Sequence, residues 1–250
     1  MFENTQRIAG CLGRSEERDP TYRSLLLSSY ADQLPAAEPS WSNLKVLQER
    51  VAHSNNQVLF PIDGNDQWGD CTIAGAAHLV TLVAGLTGLM IIPDKKTIVD
   101  TYFHLTGGAD DGLNLSDVLT YWIKTGIAGD KIVASVELDP KNWDMIKQAI
   151  QFLGAVYIGF KVPSNAQQQF NAGQPWTGGQ LTRGGHCVVV TDYDDVQGGV
   201  CLTWGNSQKF IKAWWDECVD EVHAVVSPYT TVFTGETLAN LVADSKALGN

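Results

Sequence analysis

Apolar positions along the chain change period near residue 154. Before it they recur at helical spacing. The segment 44–51 (L-K-V-L-Q-E-R-V) has this spacing, and the small apolar run that begins at residue 71 continues it to Gly85 or Gly88. Asp94 is placed to cap a third helix with apolar positions Ile98, Val99, Tyr102 and Leu105. Ser116 opens a fourth, S-D-V-L-T-Y-W-I-K, ended by Gly126, and a fifth from Trp143 to Phe152 stops at Gly154. Beyond that point β-branched runs take over. Residues 155–162 (A-V-Y-I-G-F-K-V) predict a strand ended by Pro163. The polar, Gly-rich stretch 164–185 predicts a surface loop bordering a cleft. Residues 186–193 and 200–204, joined by D-D-V-Q-G-G, predict an antiparallel hairpin. Residues 209–218 look helical, and 221–226 return as a last strand. Helices first and an antiparallel sheet second make an α+β arrangement.

Residues 1–60 are turn-rich and poor in large apolar side chains, so they predict an arm packed on the domain of residues 61–230, with 231–250 as a tail. The charged stretch Arg14 to Asp19, the short apolar Leu25 to Leu27 and the turn cluster P-A-A-E-P-S belong to this arm. At 250 residues and 44% hydrophobic content the chain can bury a full core. A net charge of −11 with no Lys/Arg run argues against nucleic acid and anionic membranes as partners. The N-terminus has no basic region followed by an apolar core, and no stretch reaches about 18 apolar residues, so a soluble cytoplasmic protein of a bacterium or infected host cell is expected. Five cysteines without a C-x-x-C pair predict free thiols in a reducing compartment and no metal site. The loop G-G-A-D-D-G at 107–112 lacks the EF-hand ligand spacing and reads as a solvated turn. No cofactor is implied.

The stretch 64–83, G-N-D-Q-W-G-D-C-T-I-A-G-A-A-H-L-V-T-L-V, is turn-forming in its first half and apolar in its second, which puts Cys71 where a loop becomes a helix. Unpaired N–H groups and the positive end of the helix dipole favour a thiolate there. Asp70 is a candidate N-cap, and Gly69 frees the backbone to turn. A nucleophilic cysteine needs a base, and the base an orienting partner. His186 follows Gly184-Gly185 and opens an apolar strand, so it is the best-placed base. His78 lies two turns up the helix from Cys71, roughly 10 Å away by helix rise, too far to act directly. His53, His104 and His223 sit in ordinary structural contexts.

The order G-D-C-T at a loop-to-helix junction, G-G-H at a strand start and W-G-N-S beyond a hairpin resembles the papain-like cysteine peptidase superfamily over about residues 60–227. It is most similar to uncharacterised papain-like proteins of bacteria and their phages that share G-N-D-Q-x-G-D-C-T and T-W-G. The signature C-G-S-C-W is absent. Cys71 and His186 are 115 residues apart, somewhat closer than the family's separation of about 130–150. The resemblance implies a papain-like fold, with the cysteine helix packed on the antiparallel sheet, and a peptide or protein substrate. It makes Cys71 the nucleophile and His186 the base. The Cys71 backbone N–H and an amide upstream would form the oxyanion hole; Asn65 holds the family's glutamine position, six before the cysteine, and Gln67 lies four before. Aligning on the strand end makes Asn206 the orienting residue, with Thr203 the second choice, whereas aligning on Trp-Gly brings Leu202, which has no suitable chemistry. Trp204 would shield the histidine's bond from water.

Three functions follow from such a site: a cysteine peptidase or amide hydrolase working through a thioester; an inactive fold used as a structural or binding module, conceivably of a phage; and a thiol acyltransferase. Residues 1–60 either pack permanently on the domain or lie across the cleft, and P-A-A-E-P with the 44–51 helix favours permanent packing.

Overall fold

The structure is a computed structural model that describes residues 10–12, 34–51, 59–230 and 243. Its centre is the helix α2 (Cys71–Leu86), of which every residue but the last is buried. An apolar sequence on all sides of a helix has this outcome, because no face is left for water. Glycine and alanine let neighbours close in: a Cβ on Gly75 would stand 3.1 Å from the Tyr157 ring and 3.5 Å from the Cys187 sulfur. Around it lie α1 (Asn43–Val51), α3 (Lys95–Leu105) and α4 (Leu115–Lys124). Asp94 caps α3 by accepting the Thr97 N–H at 3.0 Å.

The sheet is antiparallel and seven-stranded. Its strands are β1 (Ser40–Ser42), β2 (Ala134–Leu138), β3 (Val156–Pro163), β4 (Leu181–Asp194), β5 (Gly198–Thr203), β6 (Asn206–Phe210) and β7 (Val219–Val226). The order is β2-β7-β3-β4-β5-β6, with β1 paired to the end of β4. Alternation along the strands feeds two cores. Tyr157, Cys187, Val189 and Val225 face α2. Ile158, Phe160, Val188 and Val222 face the other side, where α5 (Trp143–Leu153) and α7 (Lys212–Cys218) cover them with Trp214 and Trp215.

Helices α1 to α5 and strands β3, β4, β5 and β7 follow the sequence pattern. Residues 209–218 do not form one helix. Residues 206–210 are β6 and only then does α7 begin, because the turn at Trp204-Gly205 lays the chain back against β5, with Leu202 opposite Ser207 and Thr203 opposite Asn206. Sheet pairing there outweighs local helical spacing. Strand β2, too short to announce itself, pairs with β7 from Ala134↔Val226 to Leu138↔Val222. The stretch 164–185 holds a short helix, α6 (Ala166–Asn171), and supplies the start of β4. Residues 14–33, His53 and all of 231–250 but Ala243 lie outside the described residues.

Candidate active site

Cys71 is the first residue of α2 and is 2% exposed. Burial pushes its thiol up to about 12, against the pull of the backbone N–H groups of Gly10, Cys187 and Thr72 on its sulfur; the Asp70 carboxyl adds to the upward push. Asp70 occupies the N-cap position yet makes no side-chain cap bond. It turns inward, fully buried, and accepts from the Asn65 side-chain amide at 3.3 Å. Burial, and behind it the Asp63 carboxylate, raises Asp70 to about 8. A Cβ on Gly64 (φ +108°) would come within 2.7 Å of Asp70 Oδ2, so glycine is required on both steric and backbone grounds.

His186 lies on β4, next to Cys187, with its side chain on the opposite face of the strand. Its Nε2 is 2.8 Å from Thr203 Oγ1. Its ring stacks on Trp204 at 4.7 Å between centroids and meets Phe160 edge-on at 5.6 Å. Burial alone depresses the imidazole to about 3. Nδ1 is buried with no hydrogen-bond partner among the described residues, so no bond joins it to the Cys71 thiol. In the tautomer that donates Nε2–H to Thr203 Oγ1, Nδ1 carries the lone pair a base needs.

Thus the cysteine touches the backbone of the residue beside the histidine, Thr203 holds the imidazole and Trp204 covers it. Asn206 is not brought there: it is exposed at the start of β6, its Oδ1 accepting from the Ser207 N–H at 2.8 Å. The Trp204-Gly205 turn carries it past the ring. Asn65 is buried and spends its amide donors on Trp68 O and Asp70 Oδ1, both at 3.3 Å. Gln67 is exposed. His78 bonds Pro61 O at 2.8 Å and lies 3.2 Å from Asp63 Oδ2, which keeps it in the scaffold. His223 is bound to Glu221 at 2.8 Å, both buried. No disulfide joins any of the five cysteines. Among the described residues no group of three or more His, Cys, Asp or Glu is arranged to hold a metal ion, and no helix is long and apolar enough to cross a membrane.

Residues 10–12, which the sequence pattern does not mark, lie between the two walls. Cys11 N–H donates to Gly185 O at 3.0 Å, just before His186. On the helical side Leu12 N–H donates to Leu113 O at 3.2 Å and Leu113 N–H to Gly10 O at 3.1 Å. The segment is an added strand, antiparallel to Gly185 and parallel to Leu113, and it is what covers the thiol.

Compared by sequence, the chain matches no family model and no curated protein. Among solved structures it is similar to xylellain, a cysteine protease from Xylella fastidiosa, with a TM-score of 0.62 and 14% identity over 91% of this chain and 98% of the other. It is also similar to a procathepsin B from Trypanosoma congolense (0.57, 13%, 88% of this chain and 87% of the other). A third is the protease and lectin-like part of Cwp84, a surface-layer-associated protein of Clostridium difficile (0.53, 11%, 78% of this chain and 54% of the other). The α+β arrangement built around the cysteine helix is the papain-like fold.

Proposed function

We propose that the chain is a papain-like cysteine peptidase or related amide hydrolase, described here in a closed state. The observation that carries this is the extended segment 10–12, which pairs through its backbone with both walls directly over Cys71, as a peptide substrate would. Cys71 is the nucleophile and His186 Nδ1 the base. Thr203, not Asn206, orients the ring, and Trp204 keeps water from the Thr203 bond. The thiol proton passes to the imidazole as sulfur attacks the carbonyl carbon. The imidazolium then protonates the departing amine, leaving a thioester that water opens. The Cys71 backbone N–H stabilises the oxyanion. Of the two amides, Gln67 is the one whose donors no other group among the described residues holds, whereas Asn65 supports the loop.

A second reading rests on a specific observation as well. In the closed state the thiol and the imidazole are both neutral and unbonded to each other, which suits an inactive binding module. Alkylation decides between them. With the segment displaced, a hydrolase shows Cys71 alkylation at neutral pH that His186→Ala slows at least tenfold, together with peptide cleavage lost in Cys71→Ala. A module shows thiol-like alkylation, rising only near pH 9, with His186→Ala indifferent.

A further inference from the structure

The walls that grip residues 10–12 are made of backbone. A Cβ on Gly10 would fall far inside contact distance of the Gly69 carbonyl oxygen and Cα. From the neighbouring loop, also on the helical side, a Cβ on Gly112 (φ +76°) would fall on the Gly10 carbonyl oxygen. A Cβ on Gly69 would stand 3.1 Å from Gly10 Cα and 3.2 Å from both Asp110 Oδ1 and Tyr102 Oη. Three glycines therefore meet where the crossing chain passes Cys71, with no side chain that could rotate aside.

The gap is also held at fixed width. Gly69 N–H donates to Asp110 Oδ1 at 2.8 Å, Gly112 N–H to Tyr102 Oη at 3.0 Å, and Tyr102 Oη–H to Asp110 Oδ1 at 2.5 Å. One buried phenol and one carboxylate thus tie the Gly69 and Gly112 loops together. Beyond the gap, Cys11 is 4% exposed and its sulfur packs against β3, 3.7 Å from where a Gly159 Cβ would stand, so the side chain that follows the glycine enters a closed core.

We infer that the cleft beside Cys71 is glycine-selective: it takes peptides or protein segments with a glycine passing between Gly69 and Gly112 and a small side chain following it. Residues 10–12 are the intramolecular example. The inference names the substrate class of the site proposed above and rests on that site being a peptide cleft, but it does not require that the peptide be cleaved. The Gly69 backbone excludes a Cβ at the Gly10 position, because those atoms yield only if the Tyr102–Asp110 brace yields.

The test uses the full chain and no turnover. Gly10→Val cannot occupy the gap, so its Cys71 should react with iodoacetamide at least tenfold faster than the native protein, read by mass spectrometry of the Cys71 peptide; near-UV circular dichroism confirms the fold, and Gly10→Ala serves if valine disturbs it. Acetyl-Ala-Gly-Ser-Leu-amide at millimolar concentration should then slow the variant's alkylation at least fivefold, while acetyl-Ala-Ala-Ser-Leu-amide should leave it unchanged. Native-like alkylation in the folded variant, equal protection by both peptides, or protection by neither overturns the inference. Glycine-selective protection without cleavage of any peptide leaves it standing while the hydrolase reading fails. Cleavage of peptides that carry no glycine does the reverse.

Discussion

The helical and sheet walls hold Cys71 and His186 neutral by different means. On the helical wall, Cys71 is covered by a chain segment that makes three backbone hydrogen bonds and passes through a gap lined by glycine. On the sheet wall, His186 is enclosed by Trp204 and Phe160, with Trp176 and Trp214 packed behind them. Water can reach the thiol once a few residues move, whereas reaching the imidazole means dismantling a core. The thiol's upward shift is thus a property of the closed state, and the imidazole's downward shift is a property of the fold.

Displacing the arm is the sharpest way to separate the walls and has the largest expected effect. Gly10→Val should bring the Cys71 thiol down from about 12, to its ordinary value near 9 for a binding module and below that value for a hydrolase, so the thiolate fraction at neutral pH rises by about a thousandfold or more, tenfold per unit. The pH–rate profile of alkylation measures it. The His186 ring, followed by NMR in the same variant, should keep its depressed pKa; a ring that becomes protonated near pH 6.5 would show that the arm shields both walls.

Trp204→Ala attacks the other wall. Losing a buried indole that contacts Phe170, Trp176 and the imidazole should cost about 3 kcal/mol by denaturant unfolding and raise the His186 pKa, while Cys71 stays as slow to alkylate as before. Thr203→Val comes next. It leaves Nε2 buried without its partner, at a cost of about 1–3 kcal/mol, whereas Thr203→Ser should be near neutral and keep whatever cleavage the native protein shows. If Thr203→Val cleaves peptides at the native rate, Thr203 does not orient the base.

The walls also differ in how much of them the sequence discloses. Cys71 is legible because a polar turn followed by a small apolar run has few other outcomes, and the same holds for His186, where G-G-H opens a β-branched run. The partner of the His186 ring is not, because its identity depends on whether the strand ends before or after Trp204. That is settled by a residue at φ +47° and Gly205 at +76°, a turn no local pattern announces. Thr203 then falls on the imidazole and Asn206 outside. The cover over Cys71 is less legible still. Gly10, Gly69 and Gly112 matter through contacts among three separate segments, and glycine carries no periodicity that would connect them. Asp70 looks like a cap from its position, but the buried Asn65 amide turns it inward.

The last contrast is in pH dependence and is the smallest in size. His186 has a folded pKa depressed to about 3 from 6.5, so between those values the unfolded chain holds the extra proton and stability falls as the pH falls, by about 1 kcal/mol per pH unit. Asp70 has a folded pKa raised to about 8 from 3.8. Between those values the folded chain holds the extra proton, and stability is lost at a similar rate as the pH rises. From about pH 4 to 6.5 the two slopes oppose each other. From 6.5 to 8 only that of Asp70 remains, since Cys71 contributes its own loss only above 9. Native protein should therefore lose about 1–2 kcal/mol between pH 6.5 and 8 in urea unfolding, relative to Asp70→Asn, whose curve should be flat across the same window. Asn keeps the acceptor for the Asn65 amide, so a variant that folds but retains the native slope would mean that Asp70 does not hold the proton.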